Sequence, residues 1–148
     1  MKKFLKRTAL ILSCFCIAFS CTHIVNANSV SALLHADENY VITSDLPILI
    51  NPVNYYFTTG ATCEYDVTFQ IRQRADMGGA AKVIYTTKLS KDSTDTGTLN
   101  VYSNYALAAM YGNTPASPKK NCVAGALLYD SSDSSMLVEI DRINAEVE

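Results

Sequence analysis

From Cys63 to Ile71 the chain alternates without a break. Cys63, Tyr65, Val67, Phe69 and Ile71 are apolar or aromatic, and Glu64, Asp66, Thr68 and Gln70 between them are polar. Successive side chains of a strand point to opposite faces, so a period of two is the pattern of a strand with one face on a core and the other in water. A helix would scatter the same residues around its axis. The chain therefore supplies a sheet with one buried face, and the neighbouring segments must supply its partners.

Turn signals divide the remainder. "DMGG" (76–79) carries paired glycines that accept the positive φ of a hairpin loop, and "AAKVIYTTKL" then returns with Ala81, Val83, Tyr85 and Leu89 on one side. "YVITSDLPILI", from Tyr40, holds two short apolar stretches around Asp45, with Pro47 suited to a sheet edge where a missing N–H does no harm. "PVNYYFTT" reads as a further strand closed by a turn at Gly60, and "SKDSTDTG" as a polar loop. In "TLNVYSNYALAAMYG", residues 98–102 favour strand while 106–110 tolerate a short helix. "NTPASPKKN" is a loop, "CVAGALLYD" a strand and "SSDSS" a tight connection. "MLVEIDRI" reads as a final strand alternating through Met136, Val138 and Ile140. About seven short strands without βα alternation predict an all-β fold, an antiparallel β-sandwich that is immunoglobulin-like in general architecture. Two features depart from that group: there is no tryptophan, and Lys120 stands two residues before Cys122 where a tyrosine corner would place Tyr.

The first 27 residues belong to a different kind of segment. Lys2, Lys3, Lys6 and Arg7 form a basic head, Ala9 to Phe19 a largely apolar run of 11, and Val25-Asn26-Ala27 a small-residue cleavage site. That order is the order of a secretory signal peptide. The run is shorter than the roughly 20 residues a membrane span needs, and no later segment is long enough either. Ala18-Phe19-Ser20-Cys21 loosely resembles the lipobox of bacterial lipoproteins, so a lipid anchor on Cys21 is a second export reading. Residues 28–39 then form an irregular leader, with at most a helical turn at 31–36, and 40–148 a single β-sandwich domain. The location is secreted or periplasmic, with lipoprotein as the alternative. Cleavage after Ala27 leaves 121 residues with eight basic and 14 acidic side chains, a net charge of −6. A field of that sign disfavours nucleic acid and anionic lipid as partners.

Of five cysteines only Cys63 and Cys122 lie beyond that site, so an oxidising compartment allows one intramolecular disulfide. Each opens an apolar run, which predicts a buried bond joining the two sheets near the start of two core-facing rows. Closing a loop of about 60 residues stabilises by roughly 4 kcal/mol in the chain-entropy account. Neither cysteine belongs to a CxxC pair or has a histidine beside it, as a reactive or metal-binding thiol would want.

Little in the remaining sequence points to chemistry. His35 is the one histidine after cleavage and lies in the leader, which leaves no basis for a Ser-His-Asp or zinc set. Asp92 to Gly97 echoes the start of a calcium loop but has Ser103 where the bidentate glutamate belongs. No cofactor or metal is expected. Tyrosine is the compositional oddity: all nine follow residue 27, against two phenylalanines there, Phe57 and Phe69. Tyrosine offers a large contact area with a polar tip and is enriched at recognition surfaces. Tyr55, Tyr56, Tyr102, Tyr105 and Tyr111 are therefore the candidate patch for a protein or glycan partner. The expectation is a non-enzymatic binding module. A structural subunit of a surface fibre or envelope assembly, joined through exposed strand edges, is one alternative, and a carboxylate-based hydrolase built on Glu64 and Asp66 is another.

Overall fold

The computed structural model describes residues 29–112, 121–130 and 136–148. The expected signal peptide with its cleavage site, Cys21, residues 113–120 of the "NTPASPKKN" loop and the "SSDSS" connection lie outside the described residues. The strands are β1 (Ser29–Leu34), β2 (Tyr40–Ile42), β3 (Leu46–Pro47), β4 (Val53–Thr59), β5 (Val67–Arg74), β6 (Lys82–Leu89), β7 (Thr94–Leu99), β8 (Tyr105–Gly112) and β9 (Ala124–Asp130), and one helix follows, α1 (Met136–Val147). They form an all-β sandwich of two antiparallel sheets. Sheet A runs β1-β9-β4-β7, and sheet B runs β2-β8-β5-β6 with β3 continuing β2 along the same edge of β8.

The threading is that of a jelly roll. Apart from the β5–β6 hairpin and the β2–β3 continuation, each connection between consecutive strands crosses from one sheet to the other. Counting β2 and β3 together gives eight strands in two sheets of four, the double Greek-key arrangement of that fold. The sandwich is as expected from the sequence, but its strand order is not that of an immunoglobulin domain, whose strands run in consecutive hairpin pairs within a sheet.

Alternation decides which side chains meet between the sheets. Val67, Phe69 and Ile71 of β5 are buried, as are Val53, Tyr55 and Phe57 of β4. Phe57 and Phe69 stack across the gap with ring centroids 4.8 Å apart. The central strands β8 and β9 are apolar on both faces, and Ala106 to Met110 and Ala124 to Leu128 are nearly continuous buried runs. That settles the ambiguous stretch: residues 106–110 are strand because β5 and the β2/β3 pair flank them on either side.

Three segments depart from the sequence reading. Ser29–Leu34, expected within an irregular leader, is strand β1, pairing with β9 from Ser29↔Tyr129 to Leu34↔Ala124. Thr94–Leu99, expected largely as polar loop, is edge strand β7, and Thr94 and Thr96 pair with β4 instead of forming a calcium loop. Met136–Val147, expected to begin as a strand, is helix α1. Its buried residues Met136, Ile143 and Val147, with Ile140 partly buried, recur at helical spacing and pack on Leu127, Leu33, Tyr56 and Tyr129 of the outer face of sheet A. Gly125 makes that seat possible, because a Cβ there would come within 2.3 Å of Ile143 Cγ2.

The disulfide joins Cys63 to Cys122 with Cα atoms 3.9 Å apart, and both residues are buried. Neither lies on a strand. Cys63 sits in the β4–β5 connection and Cys122 in the β8–β9 connection, so the bond ties two inter-sheet crossovers together at one pole of the sandwich. Backbone bonds from Gly60 N–H to Val123 O (3.0 Å) and from Glu64 N–H to Asn121 O (3.0 Å) run beside it.

Candidate functional site

The two outer faces of the sandwich differ. Sheet A is covered by α1, with Ser31 Oγ donating to Glu139 Oε1 (2.7 Å) and Tyr56 donating to Asn144 Oδ1 (2.5 Å). Among the described residues no element packs on the outer face of sheet B.

The register fixes what that open face presents. One row across it is Tyr40, Tyr111, Thr68 and Lys88; the next is Ile42, Ala109, Gln70 and Thr86; a third pairs Leu107 with Arg72. Ala109 and Leu107 are fully buried beneath their longer neighbours, while Tyr40 (45 %) and Ile42 (41 %) stand exposed. Tyr40 packs on Tyr111 with ring centroids 4.8 Å apart. Arg72 lies over the Tyr111 ring, its Cζ 5.5 Å from the centroid, within cation–π range. Its guanidinium donates to Gln70 Oε1 from Nε (3.1 Å) and Nη2 (2.7 Å), and to the Tyr111 hydroxyl.

Arg72 differs here from the other arginines among the described residues. Arg74 is paired with Asp45, and Arg142 with Glu139 and Glu146. Among the described residues no carboxylate forms a salt bridge with Arg72, whose acceptors are a neutral amide and a phenol. A planar fork of donors held beside an aromatic ring, with no carboxylate paired to it among the described residues, is suited to receiving a carboxylate.

The structure disperses the five candidate tyrosines. Tyr105 and Tyr111 lie on the outer face of sheet B and Tyr102 on the β7–β8 loop. Tyr56 lies beneath α1, and Tyr55 points into the sandwich, where it packs on Phe57 and Tyr85 (5.1 Å each). At the β6/β7 side, Tyr85 donates to Asp95 Oδ2 (2.7 Å), and the Tyr55 hydroxyl lies 3.4 Å from Asp95 Oδ1. Burial, then the Tyr85 hydroxyl and the Asp95 charge, push the Tyr55 phenol well above the ordinary tyrosine range and keep it protonated. Tyr55 and Tyr56 thus serve packing, while Tyr40, Ile42, Gln70 and Arg72 join Tyr111 on the open face of sheet B.

Glu64 and Asp66 line an open depression of about 390 Å³ beside the disulfide, with Cys63, Tyr65, Ser90 and Lys91. Both carboxylates face solvent, and Asp66 pairs loosely with Lys88 at 3.9 Å. A second hollow of about 250 Å³ lies where the end of α1 meets Gly60, lined by Tyr56, Thr58, Asp92 and Asn144 among others. Among the described residues no group of three or more His, Cys, Asp or Glu side chains is arranged to hold a metal ion. No helix among them is long and apolar enough to cross a membrane.

No known protein family matches the chain, and no curated protein matches it. Among solved structures it is similar to the crystal structure of PirA, at 14 % identity and a TM-score of 0.47, over 74 % of this chain and 99 % of that one. A likeness at that level carries no argument about function.

Proposed function

We propose that the protein is an exported, non-enzymatic binding module whose open face on sheet B recognises a glycan bearing a carboxylate, such as a uronic or sialic acid residue. The observation that carries this reading is Arg72, fixed over Tyr111 on an uncovered sheet face with only neutral acceptors. The groups around it suit a sugar. Tyr40 and Tyr111 offer ring surface, and Thr68, Gln70 and Thr86 offer hydroxyls and an amide. Export is supported by the basic head and apolar run of residues 1–27 and by a disulfide, which persists in oxidising compartments.

The test is calorimetric titration with short acidic oligosaccharides and their neutral counterparts. The acidic sugars should bind, and Arg72→Ala should weaken them by about tenfold or more, as expected for losing a hydrogen bond to a charged group. Tyr56→Phe, beneath the helix, should bind as the parent does. Equal affinity for neutral and acidic sugars, or an Arg72→Ala variant that binds like the parent, would overturn the reading.

A further inference from the structure

Six of the nine exposed large apolar side chains among the described residues lie toward one pole of the molecule. The β3–β4 loop (48–52), the β5–β6 hairpin (75–81) and the β7–β8 loop (100–104) meet at the pole opposite the disulfide, and they carry Leu49 (66 % exposed), Ile50 (41 %), Met77 (69 %) and Tyr102 (84 %). Helix α1 starts at this pole and ends beside Gly60 at the other, so Leu137 and Val138 of its first turn, both 74 % exposed, lie on the same side. Six large apolar side chains left in water at one end are what a docking surface shows.

These loops are built to hold their shape. The Asn51 side chain donates to Val101 O (2.7 Å) and accepts from Val101 N–H (3.0 Å), joining the first loop to the third. Asn104 Nδ2 donates to Ala75 O (2.9 Å), and Gln73 Oε1 accepts from Tyr102 N–H (3.0 Å), joining the third to the hairpin. Ile48 N–H donates to Asn104 O (2.9 Å). Backbone polar groups are thus satisfied by neighbouring loops, which is the condition for bringing irregular backbone into a region poor in water.

We propose that this pole docks on a zwitterionic lipid bilayer by inserting the apolar side chains of the three loops into its interface. Charge selects that occupant. Across residues 48–52, 75–81 and 100–104 the one charged side chain is Asp76, so the three loops themselves carry no cation for an anionic headgroup. The apolar groups also stand on separate loops. A fluid interface accepts them together, whereas a folded partner needs a pocket for each, and Tyr102 has the amphipathic ring favoured at that depth. The inference is independent of the glycan reading, since none of these residues lies on the open face of sheet B.

The experiment is co-sedimentation of the purified chain with phosphatidylcholine vesicles, alone and with phosphatidylserine added. The protein should pellet with phosphatidylcholine. Added phosphatidylserine should not increase the bound fraction, and high salt should not reduce it. Leu49→Ser combined with Ile50→Ser should lower partitioning by about tenfold or more. Met77→Ser, at an exposed hairpin position, should lower it in the same direction, so that a folding failure of the double variant leaves the test intact. The proposal is overturned if the parent stays in the supernatant, if Met77→Ser pellets like the parent, or if binding requires phosphatidylserine. Sedimentation without lipid that these variants abolish would assign the pole to a second copy of the chain and also overturn it.

Discussion

Val67 and Thr68 are neighbours on β5 with opposite surroundings. Val67 is fully buried between the sheets, and Thr68 faces outward in the row of Tyr111 and Lys88. Val67→Asp places an unpaired carboxylate in the core and should unfold the domain, whereas Thr68→Asp should cost about 1 kcal/mol or less. Chemical denaturation of the two variants decides, and equal tolerance of both would contradict the assigned faces. Tyr65 makes a finer point. Its hydroxyl is buried without a hydrogen-bond partner, and burial raises its pKa. Tyr65→Phe removes a desolvated group at no loss of packing and should raise stability by up to about 1 kcal/mol; a clear loss would mean that the hydroxyl is satisfied in solution. At this scale the alternation of β5 already places Gln70 and Arg72 on the water face. It does not show that Tyr40 and Tyr111 flank that face, because their meeting depends on β2, β8 and β5 pairing over long sequence separations.

The helix is the element in which local pattern and final structure diverge most. Met136, Val138 and Ile140 alternate like a strand over a short window, but Ile143 and Val147 extend a helical stripe from Met136 and Ile140, leaving Leu137 and Val138 in solvent. Eight residues fit both periods; twelve fit one. Strand β1 is illegible in the sequence for a related reason, since Val30 and Ala32 alternate with serines but are too small to stand out, and β7 because an edge strand needs few apolar residues. The seat of α1 on sheet A has an electrostatic component. Arg142, the surrounding partial burial notwithstanding, and the Ser31 hydroxyl hold the Glu139 carboxyl below its ordinary range. A lowered folded pKa contributes stability that is present above the unfolded pKa and is lost as pH falls through the folded one. Glu139→Gln should therefore melt a few degrees below the parent at pH 7, on the order of 1 kcal/mol or less, and the gap should close in acid. A gap that stays constant down to pH 3 would show that the carboxylate is not the cause.

For the whole molecule, the disulfide closes a 59-residue separation and fastens two crossovers of the jelly roll at one pole. Its buried position implies slow reduction in the native state, and replacing both cysteines by alanine should cost roughly 2 to 5 kcal/mol with poor accumulation outside the cytoplasm. A double variant that melts with the parent would mean that the hydrogen bonds of Gly60 and Glu64 to the β8–β9 connection suffice alone. The pairing was legible from two cysteines and a predicted compartment, whereas the threading was not, because strand order depends on which sheet each crossover enters. With α1 on one face and apolar loops at one pole, the open face of sheet B is where the proposed acidic sugar would meet Arg72. Its most direct test is amide chemical-shift mapping of the isotope-labelled protein during titration with an acidic oligosaccharide. Saturable shifts confined to β2, β5 and β8 around Tyr40, Gln70, Arg72 and Tyr111 are the predicted result. Shifts centred on α1, on the disulfide pole or on no residue at all would contradict it.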